Sequence, residues 1–225
     1  MPEHVNPPRR RYDASGRQAR ARQTREQIVA AAGLLFERDG YASTTIAAVA
    51  REANVSPETI YKGFGSKGAL LGAAVGASIR GDTEATSLRR RPAIGAIRDE
   101  PDPRRQLEMY GSLLAQINPR LAPLVRVMRE AGAADPEIAG MLAQLKADRL
   151  DGMREFAAVL AGRRALRAGM STQQAADVLW TLGSPELYEL LVLDRGWSPR
   201  RYGRWVAQQL AAALLYAGTV RPAPP

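Results

Sequence analysis

Cysteine is absent from the chain, and histidine occurs once, as His4. The first absence removes disulfides, thiol nucleophiles and cysteine-ligated zinc or iron–sulfur centres together. His4 lies in an arm rich in proline and arginine, where no packed pocket orients an imidazole for acid–base work. No P-loop occurs, and scattered acids such as Glu108, Asp148 and Glu155 read as solvated helix faces. Catalysis is therefore the weakest functional class, with no metal and no cofactor expected. Long apolar runs are missing too: the longest, Ala69 to Ile79, is eleven residues, against the roughly 20 needed to span a bilayer. Arg9, Arg10 and Arg11 are followed by Tyr12 and Asp13 in place of the apolar stretch of a secretory signal. The expectation is a cytoplasmic protein with no membrane partner.

What is present suits a folded, basic protein. The 225 residues are 45% hydrophobic and 24% charged, enough to bury a core and more than one small domain needs. A net charge of +9 and an isoelectric point near 10.4 favour a polyanionic partner, because lysine and arginine meeting phosphates release condensed counterions.

Residues 1–22 combine Pro2, Pro7 and Pro8 with six arginines from Arg9 to Arg22 and read as a flexible arm, either a solvated tail or an arm following DNA. Thr24 with Gln27 forms a capping-box pattern, and Ile28, Ala31, Ala32, Leu35 and Phe36 then share one helical face, predicting a helix over 24–39 stopped by Gly40. A second helix should start at Thr44 or Thr45, bury Ile46, Val49 and Ala50, and end at Ala53, with Asn54 taking the positive φ of a tight turn. Ser56 caps a third helix with Pro57 at its first position, Glu58 near its positive end, and Ile60 and Phe64 facing inward. Gly65 ends it, and Ser66 caps a fourth helix expected to run toward residue 88. Gly68, Gly72 and Gly76 on that helix read as room for a neighbouring helix.

Residues 89–101 look like a surface loop, with prolines on both sides. Beyond it, Asp102-Pro103, Asp135-Pro136, Ser184-Pro185 and Ser198-Pro199 each pair a capping side chain with a proline at the first helical position, and Ser171 with Gln174 adds a capping box. Apolar residues between these starts keep helical spacing and nothing alternates as a strand. A break or kink is expected at Pro119 and Pro123, where the proline ring meets the carbonyl four residues back. The last two helical regions, about 172–195 and 199–217, carry apolar stripes and all three tryptophans, a surface suited to a subunit interface. Residues 221–225 read as a frayed, disordered tail.

The segment DGYASTTIAAVAREANVSPETIYKGFGSKGALL, Asp39 to Leu71, resembles the helix-turn-helix of the tetracycline-repressor (TetR) family of bacterial transcription regulators. It carries the family pattern of Gly-Tyr, Thr-Thr, Ile-Ala, Tyr, Phe and Ser-Lys at matching spacing. Two positions depart from it: Asn54 stands where glycine is usual, and Gly63 where an aromatic or histidine is common. The likeness implies an all-α fold: a helix-turn-helix DNA-binding domain over 23–67 and a helical ligand-binding and dimerisation domain over 68–220. By position it implies phosphate contacts from Thr45, Tyr61 and Lys67, and base contacts from Pro57, Thr59 and Lys62 on a third helix lying in the major groove.

The implied function is a one-component regulator, repressor in type, that binds an inverted-repeat operator in double-stranded DNA as a homodimer and is associated with the nucleoid when bound. Dimerisation would use the last two helical regions, and a small-molecule effector in the C-terminal domain would release the DNA. Tyr110, Met128, Phe156 and Trp180 are the candidates to line its pocket, against the plainer reading that each is core. A regulator without an inducer, a nonspecific DNA-coating protein and a protein of anionic membrane surfaces are the competing readings.

Overall fold

The computed structural model describes residues 14–81 and 92–216. Among them the fold is all-α, with one isolated antiparallel bridge between Leu166 and Leu215. The helices are α1 (Ala14–Ser43), α2 (Ile46–Glu52), α3 (Pro57–Phe64), α4 (Lys67–Arg80), α5 (Pro92–Asp99), α6 (Pro103–Gly132), α7 (Pro136–Gly162), α8 (Thr172–Leu182), α9 (Pro185–Tyr188) and α10 (Pro199–Leu214). A π-helical stretch, Glu189–Asp194, continues α9.

The helix starts follow local side-chain chemistry. Thr45, Ser56, Ser66, Asp102, Asp135, Ser171, Ser184 and Ser198 each accept a hydrogen bond from an orphan amide of the helix they open. Gly40 (φ 76°) breaks α1 where a stop was expected, and Asn54 (φ 53°) supplies the left-handed residue of the tight turn.

Four expectations are corrected. Helix α1 begins at Ala14, so residues 14–22 belong to a helix rather than an arm, and Thr24 lies inside that helix instead of capping it. The rest of the arm, residues 1–13, lies outside the described residues. Helix α4 ends at Arg80 on a left-handed Gly81 (φ 84°); the stretch expected to carry it toward residue 88 lies outside the described residues. Residues 92–99 of the expected loop form α5, which buries Ile97. Helix α6 runs without a break through Pro119 and Pro123. Each proline withdraws an amide from the helical ladder, but α1, α4, α7, α9 and α10 all pack on α6 and hold it. The end of the last helical region, residue 217, and the tail 221–225 also fall outside the described residues.

Two cores meet on α6. The first joins α1–α4 to one part of α6 through Ile117, Leu121, Leu124, Val125, Val127 and Met128, with Ile138 of α7 fully buried in it. The second joins α5–α10 around Leu107, Tyr110, Leu114, Leu179, Tyr202 and Leu210. Asn118, 1% exposed, donates to the Tyr202 hydroxyl at 3.0 Å, tying α6 to α10. Close approach of α6 and α10 depends on a glycine on each: a Cβ at Gly111 would meet the Gly203 carbonyl oxygen, and one at Gly203 would meet that of Gly111. Both obstacles are backbone, which cannot rotate aside. We expect Gly111→Ala to destabilise the protein by about 1–3 kcal/mol, read as a lower midpoint in urea, while Gly140→Ala, where a Cβ meets nothing within 4 Å, leaves the midpoint unchanged or raises it.

Candidate nucleic-acid interface

The interface is built on three short elements whose inner sides are fixed. Ile46, Val49 and Ala50 of α2 are buried, Ala53 closes the helix, and Val55 packs in the corner before α3. On α3, Ile60 is 1% exposed and anchors the helix, whereas Pro57, Glu58, Thr59, Tyr61 and Lys62 are all exposed. The expected base-reading residues Pro57, Thr59 and Lys62 therefore share an outward surface with Tyr61, itself 54% exposed. Thr59 is tied to its own cap: its amide donates to the Ser56 hydroxyl at 3.3 Å and the two hydroxyls lie 3.2 Å apart. Hydrogen bonds from its own backbone and from Ser56 hold the Glu58 carboxyl below the usual carboxylate range, which fits an anion at a helix N-terminus. Thr45 is exposed at the start of α2, its hydroxyl accepting from the Ala48 amide at 3.1 Å.

Lys67 is placed differently from a free surface cation. Its ammonium donates to the carbonyls of Tyr41 at 2.8 Å and Thr44 at 3.1 Å and sits 4.2 Å from the Tyr41 ring centroid. Two of its three protons thus hold the α1–α2 turn against the start of α4, leaving one for any phosphate. Two further residues support the head through contacts that the sequence did not show. Arg25 lies over the Phe64 ring at 4.3 Å and donates to the Gly63 carbonyl at 3.3 Å. Thr44, 1% exposed, turns its hydroxyl onto the carbonyls of Gly40 (2.7 Å) and Leu35 (3.1 Å) at the break in α1. A buried threonine four residues after a helix-stopping glycine is a signal that could have found it; the Arg25 contact spans 38 residues and has no local signature.

Behind the head, α4 leads to a cavity of about 730 Å³ between α4, α5, α6, α7 and the start of α9. Of the four residues expected to line it, Tyr110 and Phe156 do, edge to face at 5.3 Å. Met128 is instead buried in the first core, 2% exposed, and Trp180 lies outside the lining with its ring under the Arg149 guanidinium at 4.5 Å. Helical spacing marks a residue as facing inward but not which of two cores it faces. Tyr110 donates to the Met153 sulfur at 3.3 Å, and burial pushes its hydroxyl up to about 12. Gly183 gives it space, since a Cβ there would lie 2.5 Å from the Tyr110 oxygen. Missed in the sequence were Arg80 and Arg149, both half-buried in the lining. Arg149 stands four residues after Leu145 and four before Met153, a charged residue in an apolar helical slot.

This is a helix-turn-helix head continuous with an all-helical domain that holds a cavity. The family model described as "Bacterial regulatory proteins, tetR family" matches residues 28–74. The HTH-type transcriptional regulator HbdR of Aromatoleum sp. (strain CIB) is 51% identical over 47 residues, 21% of this chain; the match spans only 20% of that relative's length. Among solved structures, a TetR-family regulator from Rhodococcus sp., described there as putative, superposes with a TM-score of 0.66 at 17% identity, covering 85% of this chain and 98% of that one. SmeT in complex with triclosan gives 0.65 at 21% identity (90% and 96%), and NalD of Pseudomonas aeruginosa 0.64 at 22% (88% and 98%). At these identities the structures speak for the fold, and the head speaks for the family. The segment 28–74 matches the helix-turn-helix of the TetR family of bacterial regulatory proteins, and the likeness of the remaining chain to these structures is one of fold.

Two substitutions test the contacts expected of the head. Lys62→Ala is expected to change which bases are preferred, by about 1–3 kcal/mol at the affected position. Lys67→Ala is expected to weaken binding to all DNA sequences alike, to flatten the salt dependence by about one phosphate, and to lower the melting temperature through the lost carbonyl contacts. Titration of labelled duplexes over a salt series, with thermal melting alongside, checks both; a Lys67→Ala protein altered only in sequence preference would remove it from the backbone contacts.

Proposed function

We propose that the protein is a one-component transcription regulator, repressor in type, that binds an inverted-repeat operator as a homodimer and is released by a small molecule held in the cavity. The observation that carries this reading is the continuity of α4, which begins at the Lys67 contacts of the reading head and ends with Ile79 and Arg80 in the cavity wall. Thr45, Tyr61 and Lys67 then grip phosphates, while Pro57, Thr59 and Lys62 read base edges; their shared exposure around a buried Ile60 supports that division. One such head reads a half-site, so a useful recognition length needs two related by a two-fold axis.

The dimer surface falls on the last helical regions. Leu190 and Leu193 are 57% and 46% exposed on the π-helical stretch, close in sequence to the Trp197–Trp205 edge-to-face pair. Large apolar side chains left in water suit an interface. The repressor sense is supported by NalD, described as the secondary repressor of the MexAB-OprM efflux pump, and the effector by SmeT, solved with triclosan. Tyr110 and Phe156 are the retained candidates for contact with the effector, which biases the DNA-binding state only by its differential affinity for the two conformations.

In vitro selection of bound DNA with the purified protein should return an inverted repeat preferred by roughly 10³ or more over random sequence at physiological salt. Enrichment of no sequence would instead support a DNA-coating protein. Sedimentation at micromolar concentration should give a dimer, and the double change Leu190→Asp with Leu193→Asp should give a folded monomer of weakened operator affinity. A wild-type monomer would sink the dimer reading.

A further inference from the structure

Apart from its charged groups and the polar side chains of Asn118 and Tyr110 the cavity wall is apolar, and the charged groups are unevenly satisfied. The half-buried carboxylate of Glu186 is shared between Arg129 at 3.8 Å and Lys146 at 3.9 Å. Asp148, Asp151 and Glu155 are exposed, at the solvent side of the lining. Asp148 accepts from Gln144 at 2.8 Å, and Asp151 pairs with Arg154 at 2.9 Å. Arg98 is likewise exposed and paired with Asp99 at 3.2 Å.

Two guanidinium groups remain. Arg149 donates to the Trp180 carbonyl and lies over its ring, and burial lowers its pKa from the ordinary arginine value. Arg80, the last residue of α4, has a buried Nε–H with no hydrogen-bond partner. Its terminal nitrogens fold back over Gly76, where an added Cβ would lie 2.9 Å from one of them, so a glycine at 76 makes room for the guanidinium. Among the described residues, neither Arg80 nor Arg149 is paired with a carboxylate. A buried N–H donor left without a partner is costly unless an acceptor joins it, and a guanidinium fork is shaped for a carboxylate.

We infer that the cavity takes an amphipathic organic carboxylate, with its anionic head on Arg80 and its apolar body against Tyr110 and Phe156. The regulatory consequence rests on the reading of the cavity as the effector site: a carboxylate seated on Arg80 engages the C-terminal end of the helix whose N-terminus holds the reading head. The volume of about 730 Å³ lies within the usual range of small-molecule sites, about 300–1,000 Å³.

Isothermal titration of the full chain with decanoate, 1-decanol, decyltrimethylammonium and acetate tests the ligand class. Decanoate is expected to bind about tenfold or more tighter than 1-decanol, with acetate and the cation showing no saturable binding. Arg80→Gln should bring decanoate down to the affinity of 1-decanol without changing the latter, and Arg80→Lys should keep most of the preference. Equal binding of 1-decanol or of the cation, a preference that survives Arg80→Gln, or no binding of any probe overturns the inference. Operator release separates it from the reading beneath it. Decanoate that binds through Arg80 yet leaves operator affinity unchanged upholds the ligand class and removes the effector role. Release by 1-decanol as strong as by decanoate keeps the effector role and removes the anion.

Discussion

Helix α6 has to complete two cores at once, and most of the architecture follows from that. Its Ile117, Leu121, Leu124 and Met128 belong with α1 and α4, while Leu107, Tyr110 and Leu114 belong with the helices that follow. Any rotation of α6 about its axis would expose apolar surface in both, so the two cores constrain each other. That shared requirement holds the helix intact through Pro119 and Pro123, whose missing amides would break a helix left on its own. The first core accordingly runs across residue 68, the domain boundary expected from the sequence, joining Phe36, Val49 and Ile60 to Leu70, Leu71 and Val75.

Helix α4 inherits its role from this arrangement. It packs on α1 and α6, and at Gly68 it approaches α7 so closely that a Cβ would come within 3.2 Å of Ile138. Its first residue pins the turn between α1 and α2, and its last places a cation in the cavity wall. Fourteen residues at about 1.5 Å each make a helix of roughly 20 Å that joins the turn between α1 and α2 to the cavity wall.

Legibility in the sequence tracked how local each signal is. The caps at Ser56, Ser66, Asp102, Asp135, Ser171, Ser184 and Ser198 were readable because a capping side chain and its amides lie within three residues of each other. The early start of α1 was not, since residues 14–23 present arginines without an apolar stripe, and Thr24-Gln27 imitates a cap where the helix is already running. In the head, the set of Pro57, Thr59, Tyr61 and Lys62 came from the family resemblance, and the structure leaves all four exposed around a buried Ile60. The grip of Lys67 on carbonyls 23 and 26 residues away was not legible, because nothing in the local pattern measures that distance.

The sequence by itself determined the all-helical class, the capped helix starts from Thr45 to Ser198 other than that of α5, and the head motif, because capping, periodicity and turn chemistry act over a few residues. Tertiary structure alone decided that Met128 belongs to the first core, that Trp180 lies beside Arg149 rather than in the cavity, and that Arg80 reaches the cavity with a donor unmet. Those outcomes depend on which helix faces meet, and facing is settled only when every apolar stripe has found a partner.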